Sequence, residues 1–368
     1  MAHAQGARGG WGRAGRLAGI YAGALACGFV GDWLNLPLPW MIGAMVFATA
    51  LRLADLAVPV LPLSRALGQI VVAAAVGLSF TPEAVAALGA LIVPMLAAAL
   101  LTVVAGFASA AVLMRLGRTD MVTAGLASVP IGPVESANLA RRHGVAPGPV
   151  VLAQTLRIML LIVVIPPVLV ALDGSVRDPS AALRAMPWTA EGAALLFAAA
   201  LGGGFLAWWL RISNPFFVGS LAGAAGAAAL TLPVTAFPYP VLVGAQLFLG
   251  VWLGAVFDRA LIARARGFVP AALVSTLVMV SLCAAMGLAL AWLTGLPWEV
   301  MVLATAPGSV TEMALTAKIL QEGIAVVTAF HLVRIFLILP AAPLIFRIAA
   351  HLAGRHGLGP GGRNRPPD

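Results

Sequence analysis

Four ionisable residues stand where an apolar chain has least reason to keep them: Glu135, Arg157, Glu312 and Arg334. Each glutamate follows a helix-breaking run, Pro130-Ile131-Gly132-Pro133 in one case and Pro307-Gly308-Ser309 in the other. One offset relates the two sets: 307 − 130, 312 − 135 and 334 − 157 all equal 177. Proline removes a backbone donor and glycine loosens the chain, so Pro130, Gly132, Pro133, Pro307 and Gly308 mark places where helix carbonyls and amides lose their partners. Inside a bilayer such groups survive only where protein or a watery cavity satisfies them. A packing kink would leave the same trace; a ligand site built from half-helix ends is the functional reading.

The side chains around the breaks suit either purpose. A carboxylate in the first turn of a helix opposes the helix dipole, so Glu135 and Glu312 can be simple caps, or they can bind a cation or a proton. Each arginine falls about ten residues into its helix, roughly 15 Å from the start. An unpaired guanidinium at that depth costs at least ~2.5 kcal/mol, so a partner is expected, with Glu135 or Glu312 first in line. The same guanidinium offers a bidentate grip on an anion. One turn earlier on the same face sit Gln154 and His331. A lone histidine there is either a helix contact or a proton relay. Asn138, Ser309 and Thr311, with Ser136 and Thr316 nearby, are neutral ligands or interhelical hydrogen-bonding groups.

The elements that must position these residues are apolar throughout. Of 368 residues, 61% are hydrophobic and 10% charged, against roughly a quarter charged in a soluble domain; the mean hydropathy is +1.02. Apolar runs near 17–34, 38–54, 65–80, 88–116, 120–142 and 147–172 are followed, after a mixed connector at 173–192, by a second set near 193–210, 215–232, 240–257, 268–294, 298–319 and 324–348. The 120–142 and 298–319 runs are the broken ones. Continuous apolarity, without strand-like alternation, predicts an all-α integral membrane protein, and excludes a barrel. Residues 1–14 and 349–368 are expected to be disordered, leaving membrane repeats at 15–172 and 193–348. Arg8, Arg13 and Arg16 ahead of Leu17 would suit a signal peptide, but the following segment has a counterpart in the second half and reads as a retained helix.

Pro39-Trp40-Met41-Ile42-Gly43 matches Pro215-Phe216-Phe217-Val218-Gly219 at an offset of 176, and Gln69 and Gly77 match Gln246 and Gly254 at 177. Loop charge alternates between the copies. Arg52, Arg65, Arg115 and Arg118 have counterpart loops without bases, whereas Arg211 and the Arg259, Arg264 and Arg266 cluster answer unbasic loops of the first copy. Basic residues that change sides predict inverted repeats, each of about five transmembrane helices plus one broken or re-entrant element, with both termini cytoplasmic. Twelve crossings in parallel repeats is the competing arrangement.

Net charge is +9, but the bases lie in loops and tails, and no helix-turn-helix or soluble domain is present to hold nucleic acid directly. All 22 basic residues but Lys318 are arginine, a preference that fits coding bias. Cys27 and Cys283 sit in separate apolar segments, and no metal-ligand, P-loop or nucleophile signature occurs. No cofactor or metal and no catalytic residue is expected.

The paired PxxhG segments, each followed by a break, a glutamate and a helix with arginine, resemble the AbrB family of bacterial membrane proteins, distinct from the soluble regulator of the same name. The resemblance covers about 17–348. It implies a bacterial inner-membrane location; members are described as regulators of gene expression, and some carry an ammonia monooxygenase label. The plan is also similar to inverted-repeat secondary transporters. The expectation is therefore a carrier of a small solute or ion, with a membrane regulator that senses a small molecule as the alternative and a monooxygenase-like enzyme third. The lipid bilayer and an unidentified solute are the expected partners, with a second copy of the chain as a further candidate.

Overall fold

The computed structural model describes residues 6–173, 180–257 and 259–355. Among them every regular element is helical. The first repeat holds α1 (Gly6–Trp33), α2 (Pro39–Leu53), α3 (Ser64–Gly77), α4 (Pro82–Gly89), α5 (Ile92–Gly117), α6 (Met121–Ser128), α7 (Pro133–Arg142) and α8 (Pro147–Asp173). A short α9 (Ala181–Arg184) lies in the connector. The second repeat holds α10 (Ala190–Trp209), α11 (Pro215–Ala229), α12 (Tyr239–Ala255), α13 (Arg259–Arg264), α14 (Phe268–Thr294), α15 (Trp298–Thr305), α16 (Val310–Leu320) and α17 (Ile324–Arg355). Helix α1 begins inside the stretch expected to be disordered, and α17 runs past residue 348 to Arg355. A helix already anchored in an apolar run can extend into polar sequence because its hydrogen bonds are local; Arg16 Nε also donates to the Gly12 carbonyl at 3.1 Å. Residues 1–5 and 356–368 lie outside the described residues.

Among the described residues six helices are long and apolar enough to cross a membrane: those at Ala14–Trp33, Ile92–Gly117, Pro147–Leu172, Ala190–Trp209, Phe268–Thr294 and Ile324–Ala342. The chain is a polytopic helical membrane protein. Helices α2, α11 and α12 are apolar but shorter, and α3 and α4 form a pair bent by 84°. At 15 residues α2 rises only about 22 Å, less than a full hydrocarbon layer.

The compact units do not coincide with the repeats at 15–172 and 193–348. One unit consists of Met1–Ala90, Ile162–Arg259 and Ala314–Ala325; the other of Leu91–Leu161, Ala260–Met313 and Val326–Asp368. Each therefore draws matching pieces from both repeats, because small-residue faces of one repeat pack on the other. In the first unit, a Cβ on Gly250 of α12 would lie 2.4 Å from the Met41 carbonyl of α2, and one on Gly254 2.5 Å from that of Met45. Numbers rise together along this contact, so α2 and α12 run in the same sense. The contact repeats with the roles exchanged: Gly254 meets Ala48, and its counterpart Gly77 meets Ala224, the counterpart of Ala48. At one end of this pair, Arg52 Nε donates to the Phe257 carbonyl at 2.8 Å and Arg259 pairs with Asp55 at 2.9 Å.

The second unit is centred on α5 and α14, which are counterparts. Ser109 Oγ donates to the Ser275 carbonyl at 2.7 Å, and Ser275 Oγ to that of Ser109 at 2.9 Å. Ala110 and Leu113 share a cluster with Ala271 and Ala272, and Gly117 lies against Ala271 and Phe268. Here numbers fall on one helix as they rise on the other, so the counterparts run antiparallel.

Candidate functional site

Both breaks lie in this second unit. Helix α6 starts on Asp120, whose Oδ1 accepts from the amides of Val122 (3.0 Å) and Thr123 (2.9 Å). It stops at Ser128 because Val129 turns extended (φ −67°, ψ 129°) ahead of Pro130, which has no amide to give. Gly132, at φ +95°, then reverses the chain into α7. A Cβ there would be strained and would stand 2.8 Å from Glu135 Oε2, so glycine is required. Pro133 occupies the first helical position, where a missing N–H does no harm. The second break repeats the plan: Thr305 ends α15, Ala306 is extended (φ −53°, ψ 136°), and Ser309 Oγ accepts from the Thr311 amide at 3.3 Å as α16 begins. Gly308 has no positive φ, and a Cβ would meet only the flexible Met313 side chain.

The arginines take carbonyls at the two breaks, those at the end of α6 in the first copy and those between α15 and α16 in the second. Arg157 Nη1 donates to the Ser128 carbonyl at 2.6 Å and, at 3.4 Å, to that of Ala127. Arg334 Nη1 donates to Ala306 O at 2.6 Å and Nη2 to Gly308 O at 2.7 Å. The expected glutamate pairing is thus corrected: among the described residues neither guanidinium is ion-paired with Glu135 or Glu312. The reason lies in position: the last carbonyls of α6 carry partial negative charge beside Arg157, and the break after α15 leaves the Ala306 and Gly308 carbonyls outside any helical ladder beside Arg334.

Gln154 finishes the first break. Its Nε2 donates to Leu126 O (2.7 Å), Val129 O (2.8 Å) and Ser136 Oγ (3.0 Å), tying α6 to α7, while its Oε1 accepts from Arg157 Nη2. His331, the counterpart, is fully buried with Nδ1 3.0 Å from the Val327 carbonyl of its own helix. Thr311, Glu312 and Thr316 are buried, Ser309 and Glu135 half-buried. Asn138 does not join them: it is exposed and accepts from Arg141 Nη2 at 2.7 Å. Arg157 and Arg334 are close enough to repel one another, and the buried Cys283 thiol lies within electrostatic reach of both.

Sequence reasoning missed the hydroxyls beside Arg157. Ser109, Ser128, Ser275 and Thr276 line a cavity of ≈ 10 Å³ with the arginine, about enough for one water. Ser109 and Ser275 differ by 166, not 177, so the repeat register conceals their pairing. Lys318 was also missed. It is 4% exposed, and its Nζ donates to the Ala75 carbonyl at 2.6 Å within the first unit. Its being the one lysine of the chain was the available signal.

Taken together, the second unit holds two interrupted helices braced by permanent positive charges, with carboxylates and hydroxyls on the following half-helices. The family model described as "Transition state regulatory protein AbrB" matches residues 40–350. A Bacillus subtilis (strain 168) protein named "Uncharacterized protein YhjN" is 26% identical over 361 residues, covering 89% of this chain and 92% of the relative. No solved structure matches.

Proposed function

The chain belongs to the AbrB family, and on that premise we propose that it is a secondary transporter of the bacterial inner membrane, carrying a small polar solute or ion at the paired broken helices. The observation that carries this reading is that both repeats place a buried arginine on the carbonyls of a matched helix break in one compact unit, with Arg157 beside a hydroxyl-lined cavity. A packing kink requires one break; two matched breaks at one place fit a shared ligand site. The arginines hold backbone carbonyls at the two breaks, and the proposal assigns Glu135, Ser309, Thr311 and Glu312, at the starts of α7 and α16, to the solute. Reconstituted into proteoliposomes, the protein should take up at least one member of a radiolabelled panel of small carboxylates, amino acids, ammonium and metal cations. Uptake should fall to the protein-free level in Glu312→Gln. Unchanged uptake in that variant would remove the glutamate from the site.

An inverted arrangement underlies the proposal. It is supported by the antiparallel α5 and α14, by the same-sense pairing of α2 with α12, and by the contact of the Arg52 and Arg259 loops. Counting α2, α11, α12 and the bent α3–α4 pair as crossings makes ten, with α6–α7 and α15–α16 as the broken elements and both termini cytoplasmic. With Cys27 and Cys283 replaced by alanine, Arg118→Cys and Arg266→Cys should react with an impermeant thiol reagent from the same side; opposite sides would sink the inversion. A second reading, a membrane regulator that senses a solute without moving it, takes its support from the word "regulatory" in the family's description. Saturable solute binding with no flux would favour it.

A further inference from the structure

We infer that Lys318 is a proton-exchange site, and, resting on the transport reading above, that its proton is coupled to solute movement. Three observations converge on it. The chain uses arginine at every other basic position, including the two buried ones, Arg157 and Arg334. Those two are held by several acceptors and must remain charged, since a guanidinium does not release a proton in a protein. Lys318 is different: an ammonium carries three donors, and the one acceptor it meets is the Ala75 carbonyl in the last turn of α3, at 2.6 Å. Among the described residues it forms no ion pair, and the carboxylate four residues on, Glu322, is exposed.

A buried ammonium with one hydrogen bond and no counter-charge is the arrangement that makes proton loss inexpensive. The neutral amine keeps an N–H for the Ala75 carbonyl, so that contact survives the release. The departing proton leaves as hydronium: the Nζ–H bond breaks, water accepts the proton, and rebinding reverses the step. The path out is short, because α16 ends at Leu320 and the polar residues that follow, Gln321 and Glu322, are exposed. The repeat supplies an internal comparison. The counterpart of Lys318 is Arg141 (318 − 177), which is exposed and donates to Asn138. A base at this place of the repeat therefore has no inherent need of burial, and the buried copy is the one built from a residue able to deprotonate. A structural role is the alternative, with the ammonium merely capping the end of α3.

Because the chain has one lysine, the test needs no mutation. Biosynthetic labelling with 13Cε-lysine, on a protein with a lysine-free tag, yields one lysine side-chain resonance in detergent micelles. That resonance should pass from its ammonium to its amine position within the physiological pH range while the protein stays folded. If it holds the ammonium position until the range of a free lysine, the inference is overturned whatever the flux. In proteoliposomes, wild-type uptake of whichever panel solute is carried should be accompanied by pyranine-detected proton movement. Lys318→Arg should abolish that proton movement, and Arg141→Lys should leave it intact. Proton movement persisting in a folded Lys318→Arg protein would refute the coupling. A lysine that titrates in a protein with no flux for any solute would leave the exchange site standing and discard the transport reading.

Discussion

Replacing Arg334 with methionine should lower the stability of the protein by about 3–6 kcal/mol. The guanidinium supplies the donors for Ala306 O and Gly308 O, both in a fully buried break. A buried carbonyl stripped of its donor costs about 1–3 kcal/mol, and bonds to a charged donor lie at the upper end. Methionine fills much the same volume but donates nothing. Stabilities of folded domains are about 5–15 kcal/mol in all, so the variant should unfold far earlier in detergent thermal or SDS titrations. Arg157→Met should cost less. There the same task is shared, with Gln154 holding Leu126 O and Val129 O while Arg157 holds Ser128 O. Arg141→Met, at an exposed position with one side-chain partner, should stay within about 0.5 kcal/mol of wild type. Equal losses at 334 and 141 would mean that the break is satisfied in some other way.

Gly203→Ala should be among the most damaging single methyls in the first unit. A Cβ there would stand 2.2 Å from the Gly219 carbonyl and 3.0 Å from the Gly223 backbone, while one on Gly223 would be 2.1 Å from the Ala199 carbonyl. These obstacles are backbone atoms of a facing helix and cannot rotate away. Helices α10 and α11 would have to part by about 1 Å, losing contacts along their whole crossing, and overpacking of this kind costs about 1–3 kcal/mol or more. In lipid no hydrophobic force draws the helices back together, which makes close packing the main attraction. Gly202→Ala, on the same helix with nothing within 4 Å, should be neutral or slightly stabilising, since alanine is the better helix former. A thermal shift for Gly202→Ala as large as for Gly203→Ala would show that helix propensity, not the crossing, governs this pair.

Much of this protein follows from the order of its residues. The membrane class follows from apolar runs too long and too uniform for a soluble core. The two breaks fall where Pro130, Gly132, Pro133, Pro307 and Gly308 deny the helix its hydrogen bonds, which is a local property of those residues. The duplication, and the common position of Glu135 with Glu312 and Arg157 with Arg334, can be counted directly.

What tertiary structure decided is which groups meet. Both arginines needed partners, and carboxylates were the expected ones. The folded chain instead brings each guanidinium to carbonyls 26 to 30 residues away, because each break leaves backbone carbonyls without helical partners. Asn138 was grouped with the site by proximity in sequence, yet helical rotation turns it outward to Arg141. The interleaving of the repeats into two compact units arises from the fit of glycine faces such as Gly250 and Gly254 against α2, and contact between distant segments leaves no mark on either segment alone. Lys318 shows the same division: its rarity is visible in the sequence, but only packing against Ala75 turns a rare residue into a buried one.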